Sequence, residues 1–249
     1  MKTAGIIIDF DNIFKRPISH YSDEDIKRVL TMTIGMLRDQ DPDIECVRIR
    51  LYGGWYQGNN MTQKASVLSS MIPAIETIFP ILNPPQKVIG SIELATTLYM
   101  QTHIWYDSYK EKAGIPTLRI DDSKLSVTCQ SHPDMCPVKI LRKFTEHKSK
   151  ICHHANCDTN HSEVFFEREQ KYVDSMMVCD VIAMSMDSDI SVITALTDDV
   201  DLFPSFSVAN MISGGSKVLN LVTHNSHHEV LYQSILNEFN VNVKLITVE

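Results

Sequence analysis

Apolar runs that break off into clustered acids mark both ends of this chain. The segment Gly5-Ile6-Ile7-Ile8 leads straight into Asp9-Phe10-Asp11-Asn12, and residues 190–196 lead into Thr197-Asp198-Asp199-Val200-Asp201. β-Branched apolar runs of this length predict strands buried on both faces, and therefore a parallel sheet covered by helices. Strands are expected over 3–9, 47–52, 190–196, 217–222 and 243–248. Ile26, Val29, Leu30, Ile34 and Leu37 recur at helical spacing behind Ser22 as N-cap, with Asp23, Glu24 and Asp25 in the first turn, which predicts a helix over 23–38. Further helices are expected over 62–78, kinked or broken at Pro73, and over 228–239. Another is expected over 166–186, with Tyr172, Val173, Met176, Met177, Val181 and Met184 forming its apolar face. Residues 88–102 lean towards extended structure through their Thr and β-branched content. Strands alternating with helices give an α/β fold with a mostly parallel sheet flanked by helices. Between about 121 and 161 the periodicity fails and Cys, His, Ser, Lys and Pro take over, the mark of an insertion organised by something other than a hydrophobic core.

In open parallel sheets ligands gather at the carboxyl ends of the strands. Asp9 and Asp11 from one strand, with Asp198, Asp199 and Asp201 from another, are therefore expected at one crevice. Carboxylates held close together repel, and keeping them ionised at neutral pH calls for a compensating cation. Mg²⁺ suits the part, since it takes oxygen ligands and is commonly held by one or two carboxylates together with substrate phosphate. The bland alternative is that such acids cap helices or sit solvated in loops.

Length and charge narrow the field. The 249 residues suit one large α/β domain, or a smaller one carrying an elaborate insertion. No apolar stretch approaches membrane-spanning length, and the N-terminal run carries Asp9, unlike a signal peptide, so a cytoplasmic location and no membrane partner are expected. A formal net charge of −8 argues against holding nucleic acid by bulk electrostatics but leaves local handling open. Lys139, Arg142, Lys143, Lys148 and Lys150 cluster with His147, opposed only by Glu146, and Arg48 and Arg50 share a strand face. The cluster reads either as a nucleic-acid contact or as a solvated helix face.

The six cysteines divide. Cys46 and Cys179 are expected in the core. Cys129, Cys136, Cys152 and Cys157 fall close together, with His132, His147, His153, His154 and His161 nearby. Two pairs of soft ligands suit one tetrahedral zinc, all-cysteine or with one His substituted, in a segment that lacks a core of its own. The alternative is an insertion with unbound thiols. His224, His227 and His228 stand among Asn and Ser and read as a helix-capping loop.

Three motifs in order carry a resemblance. Ile8-Asp9-x-x-Asn12 ends the first strand. Lys171-x-Val173-Asp174 opens a helix, with Asp180 six residues on, and Thr197-x-Asp199-x-Asp201-Leu202-x-Pro204 follows the later strand. The set resembles the NYN domain family of PIN-like nucleases, whose usual form of the last motif is Ser-Gly-Asp-x-Asp-Phe-x-Pro. Gly214, Gly215 and Lys217 fit its layout. The resemblance implies a Rossmann-like, PIN-like sheet and hydrolysis of phosphodiesters, most often in RNA, with Mg²⁺ or Mn²⁺. Asp9, Asp174, Asp199 and Asp201 would be the metal-binding carboxylates and Asn12 a support at the rim. Asp180, about a third of a helical turn from Asp174, would stand behind them. Asp198 and Asp11 are acids beyond the pattern, and the Cys/His-rich insertion has no counterpart in it. The competing readings are a phosphatase of the haloacid dehalogenase type, with Asp9 as nucleophile and Asp11 as acid/base, and a non-catalytic nucleic-acid- or protein-binding module. Nucleic acid, RNA rather than DNA, is the expected partner, and a homodimer is compatible with the chain.

Overall fold

The computed structural model describes residues 1–83, 86–113, 121–132, 134–146, 151–152 and 156–246. His147, Lys148, Lys150, His153 and His154 lie outside the described residues, as do the side chains of Lys143 and His161 and the end of the last expected strand. In chain order the strands are β1 (Lys2–Asp9), β2 (Ile44–Tyr52), β3 (Tyr56–Gln57), β4 (Asn60–Met61), β5 (Ile81–Asn83), β6 (Gln86–Leu94), β7 (Tyr109–Ala113), β8 (Phe166–Gln170), β9 (Ile190–Leu196), β10 (Val218–Thr223) and β11 (Val241–Leu245). The helices are α1 (Phe10–Ile13), α2 (Asp23–Gln40), α3 (Gln63–Ile75), α4 (Val127–Ser131), α5 (Pro137–Glu146), α6 (His161–Val164), α7 (Val173–Met186), α8 (Phe203–Ser213) and α9 (Ser226–Leu236). They form two compact units, Met1–Tyr109 with Gln170–Glu249, and Lys110–Glu169.

The first unit is an α/β sandwich on a seven-stranded sheet of order β11-β10-β9-β1-β2-β6-β5. All its pairings are parallel except β5 with β6. β1 is central and buried throughout after its first residue, as its unbroken apolar run requires. Its side chains alternate between faces. Ile6 and Ile8 join one core with Ile26, Val29, Leu30 and Leu68 of α2 and α3. Ile7 joins the other, with Met176, Met177 and Val181 of α7 and Phe206 of α8. α2 starts as expected: the Ser22 hydroxyl accepts from the Asp25 backbone N–H, and the Asp25 carboxylate accepts from the Ser22 N–H in return.

The chain departs from the sequence pattern in three places. The helix expected from 166 begins only at Val173, after strand β8 and after Tyr172, which turns the chain with a left-handed φ of 68°. The helical spacing of apolar residues was genuine only from Val173 onward. Cys179 is exposed rather than in the core, because α7 turns Met176, Met177, Asp180, Val181 and Met184 inward and leaves position 179 outside. Within 88–102, β6 is extended only to Leu94, and α3 runs through Pro73 to Ile75. Among the described residues, no helix is long and apolar enough to cross a membrane.

The second unit contains α4, α5 and α6, most of the paired strands β7 and β8, and the whole of the insertion expected over 121–161.

Candidate active site

β1 and β9 are parallel neighbours, so their acid tails emerge at one edge of the sheet. Asp9 is the last residue of β1 and the N-cap of α1. Its Oδ1 accepts from the Asn12 backbone N–H at 3.2 Å, and its Oδ2 accepts from Asn12 Nδ2 and from the Thr197 hydroxyl, each at 3.2 Å. The Thr197 hydroxyl also accepts from the Asp199 backbone N–H at 3.0 Å. One side chain thus ties the β1 acid to the loop after β9. Asp199 in turn accepts from Asp201 N–H at 2.9 Å, capping a short 3-10 turn.

Asp9, Asp174, Asp199 and Asp201 line one small pocket with Met177, Thr197 and Leu202. Asp174 arrives from the first turn of α7. Asp9 is only 5% exposed. Burial pushes its carboxyl up to about 6, the Asp174 charge adds to the rise, and the hydrogen bonds from Asn12 and Thr197 oppose it. Asp174 stays solvent-exposed, yet partial loss of hydration raises it too, with the charges of Asp199 and Asp201 acting in the same direction. Among the described residues, no three His, Cys, Asp or Glu side chains are drawn into a group tight enough for a metal ion. The donor set is all hard oxygen, which fits Mg²⁺ or Mn²⁺.

The bland reading holds in part, since Asp9 and Asp199 do cap local turns. Asp174 and Asp201 are solvent-exposed, as the solvated half of that reading has it, and they line the same pocket as the two caps.

Other predicted residues lie elsewhere. Asp180 is fully buried and bonds away from the pocket: its carboxylate accepts from the Arg50 guanidinium, the Tyr52 hydroxyl and, at 2.8 Å, the Tyr99 backbone N–H. Burial raises its carboxyl against the opposing pull of Arg50. Asp11 is bound by Lys64 Nζ at 2.5 Å and by the Gln170 amide. Asp198 pairs with His224 Nδ1 at 2.8 Å and accepts from the Thr223 hydroxyl at 2.5 Å. Gly214 and Gly215 end α8 with left-handed φ of 58° and 74°. Lys217 donates to the Asp187 and Ile190 carbonyls at the opposite edge of the sheet. The capping reading of the histidine-rich loop is met by Asn225, which accepts from His227 N–H at 3.0 Å. Sequence reasoning missed the role of Thr197, whose signal was its place as the hydroxyl residue opening the last motif. It also missed the pairing of Asp198 with His224, which joins two strand ends and has no local signature.

In the second unit the four cysteines stand as two pairs. Cys136 precedes α5, where the backbone N–H groups of Lys139 and Val138 and the thiol of Cys129 lower its pKa. The Cys157 thiol meets Thr159 at 3.2 Å and is lowered by Thr159 and by Cys152. Lys139 and Arg142 lie on α5, both partly buried. Compared with known proteins, the chain matches no family model, no curated protein and no solved structure.

Proposed function

We propose that this chain is a metal-dependent nuclease of PIN-like type that hydrolyses phosphodiester bonds, RNA being the favoured substrate. The observation that carries the reading is the meeting of Asp9, Asp174, Asp199 and Asp201, from three distant segments, in one pocket at the carboxyl edge of a parallel sheet. Mg²⁺ or Mn²⁺ held by these carboxylates would polarise the scissile phosphate, acidify a water and stabilise the leaving oxygen. The chain's own residues supply the placement. Asn12 and Thr197 fix both oxygens of Asp9, and Thr197 sets the distance between the β1 acid and Asp199. Asp201, exposed within its 3-10 turn, adds negative charge on the solvent side.

The phosphatase reading loses support because Asp11, its acid/base, is ion-paired to Lys64 and is not among the residues lining the pocket. In the second unit, Cys129, Cys136, Cys152 and Cys157 are proposed to hold a structural zinc. Two contacting thiol pairs, one taking backbone N–H bonds at a helix start, support this. Lys139, Arg142 and Lys143 of α5 are then proposed nucleic-acid contacts.

Purified protein is incubated with labelled single-stranded RNA, duplex RNA and DNA, in Mg²⁺, Mn²⁺ or EDTA. Cleavage that needs the metal and vanishes in Asp199→Asn, with unchanged circular dichroism, is the expected result. Metal-independent cleavage, or equal cleavage by the variant, refutes the reading.

A further inference from the structure

Asp198 stands beside Asp199 in the chain but organises a basic cluster instead of joining the acid pocket. It is 7% exposed, and its Oδ1 accepts from the Thr223 hydroxyl at 2.5 Å and from His224 N–H at 3.3 Å. Its Oδ2 faces His224 Nδ1 at 2.8 Å and Lys15 Nζ at 3.6 Å. Its backbone carbonyl accepts from the Tyr232 hydroxyl at 2.7 Å, and that hydroxyl also meets His228 Nδ1 at 2.9 Å. One carboxylate therefore answers one permanent cation and one titratable ring, with a second titratable ring nearby. Burial lowers His224, Asp198 opposes, and the charges of Lys15 and His228 lower it further. Asp198 answers the Lys15 charge, and an anion arriving beside the ring would favour the protonated form of His224 that burial disfavours.

The cluster's position fits a substrate anion. Thr197, whose hydroxyl holds Asp9, donates its backbone N–H to Val222 O at 3.1 Å. The strand ends bearing the acid pocket and His224 are thus hydrogen-bonded neighbours, about 4.8 Å apart by strand spacing. Lys15 follows α1, whose first residue follows Asp9. The acid pocket and the donor pair of Lys15 and His224 stand side by side on one edge.

We propose that Lys15 and His224, oriented by Asp198, bind a second phosphate of the substrate strand beside the scissile one, so that the site selects polynucleotides over isolated phosphodiesters. This rests on the nuclease reading above. The Lys15 ammonium gives charge-assisted hydrogen bonds to phosphate oxygens, and a phosphate beside His224 favours the protonated ring that can donate as well, contacts that fix the path of the strand without reading its bases.

The test compares an oligoribonucleotide with bis(4-nitrophenyl) phosphate, which carries a single phosphate, for the wild type, Lys15→Ala and His224→Gln in Mn²⁺. Each variant is expected to raise KM for the oligonucleotide about ten-fold, with a smaller change in kcat. The preference for oligonucleotide over the small diester should fall by a similar factor. Asp198→Asn, which acts through His224, follows the same split of KM against kcat. Lys15→Ala should also flatten the plot of log binding constant against log salt by about 0.7. Lys15 is 58% exposed, so this variant folds even if His224→Gln does not. Wild-type protein that cleaves, with variants whose losses on the two substrates are proportional, overturns the inference alone. Wild-type protein inert on both substrates overturns the nuclease reading and this inference with it.

Discussion

Replacing Asp9 with Asn should stabilise the metal-free protein in alkali while destroying its response to divalent cations. Asp9 is 5% exposed and its carboxyl is pushed up from 3.8 to about 6, chiefly by burial. A folded-state pKa above the unfolded one means the group's favourable contribution is complete below 3.8 and is lost as pH rises through 6. Linkage puts the penalty at about 3 kcal/mol near pH 8 and about 1 kcal/mol near pH 4.5. Asn removes the charge but accepts through one oxygen only, so part of the set donated by Asn12 and Thr197 is given up. That loss is about 1 kcal/mol and is roughly the same at both pH values. The variant should therefore gain about 2 kcal/mol over the wild type in the alkaline condition and close to nothing in the acidic one. Urea unfolding in EDTA at the two pH values measures this, and added Mn²⁺ should raise the midpoint of the wild type only. A variant destabilised equally at both pH values would show that Asp9 is not held ionised at a cost, and would remove the electrostatic argument for a cation.

Asp180→Ala removes the buried carboxylate partner of Arg50, itself 3% exposed, and leaves it Glu93, Thr97 and the Tyr52 ring among the described residues. It should lower stability by about 3 kcal/mol in urea unfolding, and a loss under about 1 kcal/mol would mean the pair contributes no more than a surface contact. Protein purified without chelator should contain about one zinc per chain by elemental analysis. Removing that zinc should weaken nucleic-acid binding more than it lowers the helix and sheet signal in circular dichroism, whereas metal-free protein with full binding would leave the cysteines as two unrelated thiol pairs.

The strands were the most legible part of the chain, because burial on both faces leaves a continuous apolar signature. β1 and β9 carry it, and their apolar runs alone place the acids that follow them at one edge. α2 was equally plain, since Ser22 and Asp25 announce their capping box in four residues. The stretch from 166 to 172 holds only Phe166 and Tyr172 as apolar positions, too few to set a period, so the helix read from Val173 onward was extended back over it, and nothing local signals the left-handed turn at Tyr172. Asp9, Asp199 and Asp201 were expected together from the strand ends and Asp174 through motif order, and the four line one pocket. The partners of Asp11, Asp180 and Asp198 were not expected, because an ion pair such as Asp11 with Lys64 is made by residues far apart in sequence and depends on tertiary placement. The cysteine pairing was half legible: proximity in sequence suggested Cys129 with Cys136 and Cys152 with Cys157, while a segment without periodic apolar positions gave no guide to how the pairs lie.

Helix α7 carries Asp174 near its start and Asp180 at its middle, and almost every other contact it makes with the sheet is apolar. Apolar surfaces slide: a displacement of one residue, about 1.5 Å along the axis, exchanges one methionine contact for another at little expense. Asp180 cannot slide, because its carboxylate is anchored to Arg50 and Tyr52 of β2 and to the backbone at Tyr99. The buried pair therefore acts as a vernier for the helix, converting a short-range hydrogen-bonding geometry into the axial and rotational setting of a carboxylate six residues away. The tolerance with which Asp174 meets the other acids is set at Asp180, which does not itself line the pocket.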